Sequence, residues 1–278
     1  MRPRHTAAVP ELPEVETIRR QIEPDLAGRR VVDAWAFASP KFDEAPAAVG
    51  ATFTGVRRRG KYLLADLDLD GRPHELVVHL GMTGRLGVAP PSDADGPHLR
   101  AAWSLDDGRR LTFTDVRRFG RIAVVPAGEH AALPTLAALG PEPFDEAFSP
   151  DGLRRSVNAG RRAVKTQLLS QRLVAGVGNI YADEALWRAG VHPAARRLTR
   201  ARAAALRDAV RGALADGLDH GGTTLRDYRD ALGGEGSHQH SLDCYGRAGS
   251  PCRRCGVELR RTVVAARGTT FCPVCQTR

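Results

Sequence analysis

The first periodic segment of the chain is a helix-like run near residue 11. Apolar side chains recur at Leu12, Val15, Ile18 and Ile22, a three- and four-residue spacing that places them on one face of an α-helix. The polar residues between them would face solvent. The pattern therefore predicts an amphipathic helix from about Glu11 to Ile22.

From there to about residue 130 the apolar pattern becomes short and alternating. Runs such as those in RGKYLLADLDLDG and HELVVHLGMTGRLGV are separated by turn signals. In RLTFTD the apolar Leu111 and Phe113 alternate with threonines, and the preceding Asp107-Gly108 is a hairpin signal. This zone predicts an antiparallel β-sandwich or barrel.

A proline-rich connector, LGPEPFDEAFSP, leads into a zone with helical periodicity from about residue 150 to 232. Its clearest stripe consists of Leu206, Val210, Leu214 and Leu218, which repeat every fourth residue and would share one buried helix face. A polar, glycine-rich loop then leads to two cysteine pairs. The chain thus divides into a strand-rich zone, a helical zone and a cysteine-bearing zone.

The composition adds a bias towards an anionic partner. The 278 residues carry a formal net charge of +9, and a pI of about 9.9 favours nucleic acid before membrane. Arginines far outnumber the three lysines, a usage that a GC-rich genome also produces, so charge alone leaves both explanations open. The sequence has no run of about 20 apolar residues, which argues against a membrane-spanning helix. The segment MRPRHTAAV is too short and polar for a signal peptide, so we expect a cytoplasmic protein.

Four of the five cysteines form a metal-binding pattern. Cys252 and Cys255, like Cys272 and Cys275, make a Cys-x-x-Cys pair, and sixteen residues separate the pairs, as in four-thiolate zinc sites. Two disulfides are the alternative, and they are disfavoured in a chain without an export signal. Because protein ligands fill all four positions, the predicted zinc is structural. Cys244 stands outside the pattern and is expected to be a small buried or loop residue.

Two local stretches suggest nucleic-acid chemistry. LVAGVGNIYADEALW predicts a glycine turn that opens a helix at about Asn179, and the N–H groups of such a turn can hold a DNA phosphate. DVRRFGR sets Arg117 and Arg118 beside Phe119 after a strand, and an arginine next to an aromatic ring can enter a base stack and contact an unpaired base. Glycine turns and edge-strand turns are common, so neither stretch decides a function alone.

The order of these and further motifs carries a family resemblance. From Pro10 to about Gln276 the chain closely resembles formamidopyrimidine-DNA glycosylases, which excise oxidised purines from DNA. The matching stretches are PELPEVET, RRGKYLL, HLGMTG, TDVRRFG, LGPEP, VGNIYADEAL, GGTTLRDY, YGR and RGTTFCPVCQ. The resemblance implies an α+β multidomain fold with an N-terminal antiparallel β-sandwich and flanking helices, a helical helix-two-turn-helix domain, and a C-terminal zinc β-hairpin. We expect these domains at residues 10–138, 150–234 and 244–278.

In this family the proline is the first residue of the mature enzyme, and its secondary amine is the nucleophile. The resemblance therefore makes Pro10 the residue that attacks the sugar C1′. With Val9 attached, the Pro10 nitrogen is an amide without an available lone pair, whereas a free α-amine with a pKa of about 8 is partly neutral at physiological pH. Because GTG encodes valine internally and formyl-methionine at initiation, we expect translation to begin at residue 9. Residues 1–9 would then be a mis-annotated extension.

The resemblance assigns further catalytic roles near Pro10. Glu11 would protonate the opening sugar and shuttle protons during elimination. Glu14, one helical turn further on, would help to orient the N-terminus, and a plain N-terminal helix carboxylate is its other interpretation. Lys61 matches the family lysine that grips a phosphate beside the lesion.

The resemblance also identifies residues that would bind DNA. Met82, Arg117 and Phe119 match the three residues that fill the gap left by the everted nucleotide, with Arg117 reading the orphan cytosine and Phe119 wedging the stack.

Further DNA contacts are expected in the helical and cysteine-bearing zones. Lys165 and Asn179 match phosphate contacts near the lesion, and Arg267 matches the zinc-hairpin arginine that clamps a phosphate. Tyr245 is also assigned to DNA binding, with packing ahead of a glycine turn as the alternative.

The activity implied by the resemblance is base excision repair. The protein would remove 8-oxoguanine and formamidopyrimidines through a Schiff base and then cut the abasic site by β- and δ-elimination, with one structural Zn²⁺. Its partner would be duplex DNA with oxidised or abasic lesions, bound by a monomeric, nucleoid-associated bacterial protein. An endonuclease VIII-like glycosylase for oxidised pyrimidines is one alternative, and a lesion-binding protein without glycosylase activity is another if residues 1–9 are retained. A generic zinc-containing DNA-binding protein would explain the charge and the cysteines but neither Pro10-Glu11 nor Met82.

One stretch departs from the family pattern. Better-known members carry an aromatic residue before YGR that helps to cover the everted base, whereas this chain reads GEGSHQHSLDCYGR, with Ser237 and His238 in that place. His238 could stack, but a His-Gln-His sequence in a glycine-rich stretch is more typical of a mobile loop. The sequence therefore leaves open the balance between 8-oxoguanine and ring-opened purines.

Overall fold

The structure is a computed structural model that describes residues 9–90 and 96–278. These residues form two compact units. The sandwich unit consists of the described residues up to Ala137 together with Gly221–Gly236, and the helical unit consists of Ala138–His220 and Ser237–Arg278. Residues 1–8, most of the expected extension, lie outside the described residues. Within the described ranges, no helix is both long and apolar enough to cross a membrane.

The sandwich unit opens with helix α1 (Leu12–Leu26), at the place that the apolar stripe predicts. Pro13 lies in its first turn, where the missing N–H has no helical partner to lose and the fixed φ suits a helix. Val15 and Ile18 are completely buried. The prediction of an amphipathic helix is therefore confirmed.

Eight strands follow α1 among the described residues of the sandwich unit. They are β1 (Val31–Ala36), β2 (Thr52–Arg59), β3 (Tyr62–Leu69), β4 (Arg72–His79), β5 (Gly84–Ala89), β6 (Leu99–Leu105), β7 (Arg110–Asp115) and β8 (Arg121–Pro126), and the short helix α2 (Pro134–Ala137) comes after them. The strands form two four-stranded antiparallel sheets, in the orders β1-β6-β7-β5 and β2-β3-β4-β8. One hydrophobic cluster contains buried side chains from both sheets and from α1, which makes the architecture a sandwich rather than a barrel.

The predicted hairpin lies between β6 and β7. Gly108 has a φ of 85° in its turn, and the alternating Leu111 and Phe113 point into the core with 1% and 0% exposure. On β6, the buried Trp103 donates its indole N–H to the Ala45 carbonyl at 2.9 Å. The two-residue alternation in the sequence thus separates the core face of this sheet from its outer face.

The helical unit contains four α-helices among its described residues. They are α3 (Pro150–Ala159), α4 (Val164–Leu169), α5 (Asn179–Arg188) and α6 (Arg200–Asp219). Ser149 caps α3 by accepting a hydrogen bond from the Gly152 N–H, and Thr199 caps α6 by accepting one from the Arg202 N–H. Such caps satisfy backbone donors that the first helical turn leaves unpaired.

The apolar stripe of α6 differs from the prediction at its end. The first three predicted leucine and valine positions are buried, but Leu218 is partly exposed and Gly217 takes its place on the buried face. A four-residue repeat exceeds the 3.6 residues of one turn, so the fourth position has rotated away. A Cβ at Gly217 would lie 2.5 Å from the Tyr181 hydroxyl oxygen, which explains why this face carries a glycine.

The helical pattern predicted to about residue 232 ends earlier. Helix α6 stops at Asp219, and Gly221 and Gly222 have positive φ values of 66° and 89°. Glycine adopts this region without a Cβ penalty, and it breaks the helix. Residues 221–236 contain neither helix nor strand and belong to the sandwich unit.

The predicted C-terminal β-hairpin is confirmed. Strands β9 (Arg260–Val264) and β10 (Arg267–Phe271) pair antiparallel. Ala265 and Ala266 form the turn with φ values of 53° and 56°. Asparagine and glycine ordinarily occupy such turns, so two alanines place strain at the hairpin tip.

Candidate functional site

The start of α1 is held in place by the carboxylate of Glu14. Its Oε2 accepts a hydrogen bond from the Glu11 N–H at 2.8 Å, and its Oε1 accepts one from the Thr223 N–H at 2.6 Å. Pro10, Glu11 and Glu14 are all buried. One carboxylate thus joins the backbone next to Pro10 to the segment 221–236.

The segment around Gly222 packs closely on this carboxylate. A Cβ at Gly222 would lie 2.9 Å from both Cγ and Oε1 of Glu14, so the approach requires glycine. The Tyr228 hydroxyl donates to the Glu14 carbonyl at 3.2 Å. Burial, and then the charge of Glu14, raise the pKa of Tyr228, so the hydroxyl stays a donor. The GGTTLRDY motif therefore serves as a support for the beginning of α1.

Lys61 lies at the tip of the β2–β3 hairpin, next to Gly60, and is partly exposed. Burial, and then the charge of Lys61, lower the pKa of His79 to about 4. His79 is therefore neutral at physiological pH. Its Nδ1 accepts a hydrogen bond from the Gly81 N–H at 3.1 Å, which assigns the ring proton to Nε2.

A close backbone contact brings the Met82 turn against the turn that carries Phe119. A Cβ at Gly81 would lie 2.5 Å from both the Gly120 nitrogen and the Phe119 carbonyl carbon, so only glycine fits there. Met82 is partly exposed, and Phe119 is 49% exposed. Two of the predicted gap-filling residues thus lie on adjacent surface turns.

Asp115 gives the Phe119 turn its shape, and sequence reasoning missed it. Its Oδ2 accepts from the Gly120 N–H at 2.7 Å, while its Oδ1 accepts from the Thr83 hydroxyl at 2.5 Å and the Arg117 N–H at 3.2 Å. Because Asp115 is fully buried, these bonds replace its hydration. A signal was available, since aspartate at the end of a strand often bonds the backbone of the following turn.

The side chains of the same turn form an exposed basic and aromatic surface. The Arg117 guanidinium lies 4.8 Å from the centroid of the Phe119 ring. Lys41 lies 5.7 Å from that centroid and donates to the Arg118 carbonyl at 2.8 Å. Stacked guanidinium and aromatic planes can take the place of a base in a duplex and contact its orphaned partner.

Lys165, which is predicted to contact a phosphate, is buried in this structure. Its side chain is 0% exposed, and Nζ donates to Asp183 Oδ1 at 2.6 Å, to Thr269 Oγ1 at 2.8 Å and to the Gly268 carbonyl at 3.3 Å. An ammonium group has three protons to donate, and these bonds direct them into the protein. Lys165 therefore holds the zinc hairpin against α5.

Asp183 is the partner that makes this buried lysine possible. Its second oxygen accepts a hydrogen bond from the Thr270 N–H at 3.0 Å. Burial raises the pKa of Asp183 to about 6, although the charge of Lys165 acts in the opposite direction. The ion pair thus lies in an interior where the loss of either partner would leave an unmatched group.

Asn179 and Arg267 meet at the same hairpin. Asn179 begins α5 and donates from Nδ2 to the Gly268 carbonyl at 3.1 Å. Its Oδ1 is buried and has no hydrogen-bond partner among the described residues. Arg267 directly precedes Gly268 and is exposed. The helical unit therefore brings these two predicted phosphate contacts together.

Glu184 is a second residue that sequence reasoning missed. Its Oε1 accepts from the N–H groups of Cys244 at 2.8 Å and Tyr245 at 2.7 Å, and its Oε2 accepts from the Asp243 N–H at 3.0 Å. Burial raises the pKa of Glu184 against these bonds. Tyr245 itself is only 9% exposed. Two adjacent acids inside the otherwise apolar YADEAL helix were the available signal, because buried carboxylates need partners.

The four predicted zinc ligands converge at one point. Their sulfur atoms all lie within 4.8 Å of one another, with Cys252 and Cys275 Sγ at 4.0 Å and Cys255 and Cys272 Sγ at 3.5 Å. Tetrahedral coordination with Zn–S bonds of about 2.3 Å sets sulfur atoms about 3.8 Å apart. The closed thiolate set therefore fits one structural zinc ion, as the cysteine spacing predicts.

Outer contacts support the zinc ligands. The Trp187 indole N–H donates to Cys252 Sγ at 3.4 Å, and the Arg254 guanidinium lies 4.0 Å from the Trp187 ring centroid. Such contacts orient the ligands of a metal site. Cys244 is fully buried and donates to the Thr270 carbonyl at 3.1 Å, in agreement with its prediction as a small buried residue.

The stretch predicted as a mobile loop contains a short helical turn and a buried histidine. His238–His240 form a 3₁₀ turn, and the His238 ring stacks on Tyr181 with a centroid separation of 5.7 Å and an interplanar angle of 11°. Burial lowers the pKa of His238 to about 4, so the imidazole is neutral and packs like an apolar aromatic ring. The glycines around it concealed this packing in the sequence.

Domains of known families match three consecutive parts of the chain, which contain the β-sandwich, the helices and the cysteine cluster in turn. The formamidopyrimidine-DNA glycosylase N-terminal domain matches residues 9–122, the H2TH domain of that glycosylase matches residues 139–229, and the zinc finger found in FPG and IleRS matches residues 249–278. Together with the sandwich, the helices and the thiolate cluster, these matches define a DNA glycosylase of base excision repair. The chain belongs to the formamidopyrimidine-DNA glycosylase family, whose members are glycosylases and abasic-site lyases.

Similar proteins cover nearly the whole chain. The formamidopyrimidine-DNA glycosylase of Deinococcus radiodurans is 45% identical over 279 residues, which span 96% of this chain and 97% of that protein. The crystal structure of the MutM (Fpg) protein from Thermus thermophilus is 46% identical with a TM-score of 0.87, covering 96% of this chain and 98% of its own. A Lactococcus lactis FPG mutant in complex with a Fapy-dG-containing DNA is 34% identical with a TM-score of 0.88, covering 97% and 100%.

Proposed function

We propose that this glycosylase excises 8-oxoguanine and formamidopyrimidines from duplex DNA and then cleaves the abasic site by β- and δ-elimination. The proposal is carried by the buried start of α1, where the Glu14 carboxylate holds the backbone beside Pro10 and Glu11. The Lactococcus lactis relative with a Fapy-dG-containing DNA supports this choice of lesion.

The first step is attack of the Pro10 nitrogen on C1′ of the damaged nucleotide. The bond from C1′ to the base breaks, the base leaves with the electron pair and takes up a proton, and opening of the sugar produces an iminium on Pro10. The iminium acidifies the C2′ protons, so loss of one of them expels the 3′ phosphate, and loss of the C4′ proton from the conjugated product then expels the 5′ phosphate. The attack needs a free amine with a pKa of about 8. The active form must therefore lack the Val9–Pro10 bond.

Glu11 and Glu14 have different roles beside the nucleophile, namely proton transfer and positioning. Glu11 adjoins the nucleophile in sequence, which places its carboxyl near any sugar bound to Pro10 and suits it to move protons to the ring oxygen. Both Glu14 oxygens accept backbone hydrogen bonds. Glu14 therefore acts as a positioning residue that keeps Pro10 and Glu11 against the glycine segment at Gly222.

The exposed turns of the sandwich unit would hold the opened duplex. Lys61 contributes a positive charge for a phosphate beside the lesion. Met82, Arg117 and Phe119 occupy the space of the everted nucleotide, and the Arg117 guanidinium offers donors to the acceptors of the orphaned cytosine. Asp115 does not pair with that guanidinium, because its carboxylate accepts a hydrogen bond from the backbone N–H of Arg117 instead.

The helical unit would bind phosphates through Asn179 and Arg267. One amide proton of Asn179 is engaged by Gly268, and the second remains available to a phosphate oxygen. Lys165 holds the hairpin behind these residues and does not itself contact DNA. Tyr245 would contribute to DNA binding from a backbone position that Glu184 sets by accepting a hydrogen bond from the Tyr245 N–H. The zinc ion stabilises the hairpin and supplies no step of the chemistry. We expect one protein molecule to bind one lesion.

The decisive test is borohydride trapping on a duplex that carries 8-oxoguanine opposite cytosine. Two chains are compared, one beginning at Met1 and one at Pro10, with Glu11→Gln in the shorter chain as a control. Only the shorter chains should cross-link, and the Glu11→Gln variant should do so more slowly while binding DNA normally. If the chain that begins at Pro10 binds but does not cross-link, the amine mechanism is wrong.

The Val9–Pro10 peptide bond favours a second function for any form that retains residues 1–9. Its proline nitrogen is an amide, whereas the DNA-contacting side chains are unchanged. Such a form should bind a duplex with an abasic-site analogue and never become covalently attached. Both chains should bind the duplex equally in the trapping experiment, while the shorter one alone cross-links. That result would assign excision to the shorter form and lesion binding without excision to the longer form.

The class of lesion is tested separately. We expect the chain that begins at Pro10 to have a kcat/KM for 8-oxoguanine and formamidopyrimidine duplexes about tenfold or more above that for thymine glycol, a difference of about 1.4 kcal/mol in transition-state binding. The reverse order would assign the protein to the endonuclease VIII-like branch.

A further inference from the structure

A cavity in the helical unit has no role in the proposed reaction. It has a volume of about 550 Å³ and opens between the end of α3 and the outer side of α4. Its lining includes Arg161, Arg162 and Arg172, with Ser156, Gln167 and Ser170 between them. Cavities of a few hundred Å³ accommodate small ligands or part of a polymer.

The charge of this cavity is not neutralised by the protein. No carboxylate lines it, and within the described ranges none of its three arginines forms an ion pair. Neighbouring arginines behave differently, since Arg154 lies 3.8 Å from an oxygen of Asp151 and Arg188 lies 2.6 Å from one of Asp216. Three guanidinium groups around one opening repel one another unless an anion lies between them.

The walls of the cavity are built by internal hydrogen bonds. Gln167 donates from Nε2 to the carbonyls of Val157 at 3.2 Å and Arg162 at 3.0 Å, which ties α4 to the end of α3. Gln171 has a positive φ of 62°, and its side chain accepts from the Gly176 N–H at 2.9 Å. This turn sets the backbone of Arg172. The arginines thus extend from a framework whose shape does not depend on a ligand.

The cavity lies on the side of α4 opposite to the predicted phosphate contacts. Gln167 follows Lys165 by two residues, and at 3.6 residues per turn their side chains leave the helix about 200° apart. Lys165 bonds Thr269 and Gly268, beside Arg267 and Asn179. A phosphate in the cavity is therefore a different phosphate from those that Arg267 and Asn179 would hold.

We propose that this cavity is a phosphate-binding site, which takes a phosphate of the backbone of a second DNA segment or a free phosphate. Guanidinium forks match two phosphate oxygens at once, and the hydroxyl of Ser156 adds a neutral donor. A second segment held there would let a bound molecule pass from one duplex to another. The inference rests on the cavity and does not depend on the excision chemistry.

The test uses the full zinc-bound chain and an immobilised duplex with an abasic-site analogue. After saturation with protein, an undamaged fluorescent duplex is added at low salt, with and without inorganic phosphate as a competitor. The pocket variants are Arg161→Gln/Arg162→Gln and Ser170→Asp, the latter of which keeps every arginine and adds a carboxylate. The matched control is Arg196→Gln/Arg197→Gln, an exposed arginine pair of the same unit outside the cavity.

The wild type and the control should retain the second duplex, and both pocket variants should retain about tenfold less, as expected for the loss of one or two phosphate contacts. Competition by inorganic phosphate identifies the phosphate group as what is recognised. If calorimetry shows that the wild type binds inorganic phosphate but no second duplex is retained, the site binds free phosphate. Equal retention by wild type and pocket variants, with no phosphate binding, would overturn the proposal. So would a pocket variant that binds the immobilised duplex more weakly than the control does, since the arginines would then belong to the first duplex.

Discussion

Two clusters of charged residues in this protein use their cations in opposite ways. On the Phe119 turn of the sandwich unit, buried Asp115 bonds the backbone and leaves the Arg117 side chain exposed. In the helical unit, Asp183 bonds the Lys165 ammonium itself, and both groups are buried. The first arrangement makes a cation available to a ligand, and the second uses a cation to join two parts of the protein.

The difference shows that a matching residue type does not establish a shared role. The family resemblance assigned a DNA contact to Arg117 and to Lys165 alike. Burial separates them, because the Lys165 ammonium donates its protons inside the protein whereas the Arg117 side chain is exposed. We therefore expect Arg117, and not Lys165, to contact DNA directly.

Replacing the buried cation should strongly destabilise the helical unit. Lys165→Met leaves Asp183 buried without its partner, and we expect a loss of about 3–5 kcal/mol at pH 8. Asp183 already has a pKa of about 6, above its ordinary 3.8, and loss of Lys165 raises it further. When the pKa of a carboxyl is raised in the folded state, the free energy of unfolding of the protein falls as the pH rises towards that pKa. The cost should therefore be smaller at pH 5, as urea unfolding at both values can measure.

Two further variants bracket this result. Lys165→Met/Asp183→Leu should recover much of the stability, because it removes the unmatched acid as well. Lys41→Met removes an exposed lysine and should change the free energy of unfolding by about 0.5 kcal/mol or less. A cost for Lys165→Met that is the same at pH 5 and pH 8 would show that Asp183 is not the group left unmatched.

Removing the acid beneath the exposed turn should have a smaller effect on stability. Asp115→Ala deprives the Gly120 N–H and the Thr83 hydroxyl of their acceptor, and we expect a loss of about 1–3 kcal/mol. The turn should lose its shape, so excision should slow in single-turnover kinetics. Asp115→Asn, which keeps one acceptor oxygen, should be intermediate in both measurements. Wild-type excision by Asp115→Ala would mean that the turn forms without this carboxylate.

Truncating the exposed cation should affect DNA recognition and leave stability nearly unchanged. Arg117→Ala should alter the free energy of unfolding by about 0.5 kcal/mol or less. It should reduce kcat/KM for 8-oxoguanine opposite cytosine by about tenfold or more and weaken the preference for cytosine, by analogy with other lost base contacts. Arg121→Ala, an exposed arginine at the start of β8, is the control. Equal losses in the two variants would indicate a general charge effect.

The smallest expected effect lies at the tip of the zinc hairpin. Ala266 has a φ of 56°, a region that costs an L-residue about 1–2 kcal/mol. Ala266→Gly should therefore raise the stability of the hairpin by up to about 1 kcal/mol, visible as slower hydrogen exchange in β9 and β10. Ala204→Gly, within α6, should instead lose about 1 kcal/mol. A loss in both variants would argue against strain at the turn.

Short-range patterns predicted much of the fold and the metal site. The stripe of α1, the hairpin around Gly108 and the two Cys-x-x-Cys pairs follow from spacings of two to four residues, and the structure agrees with each. Prediction failed at the end of α6, where four-residue counting placed Leu218 on the buried face in place of Gly217. It also failed at His238, which packs on Tyr181 in a stretch whose composition indicates a loop.

Motifs in the sequence are enough to locate the chemistry-bearing groups along the chain, including Pro10-Glu11, the Arg117 turn and the thiolate pairs. The folded chain is needed to see that Glu14 bonds Thr223, 209 residues away, and that Lys165 is buried against Asp183. The physical reason is that periodicity and motif spacing reflect local backbone geometry. Burial is instead the sum of contacts from segments far apart in the chain, and it decides whether a charge binds a ligand or the protein itself.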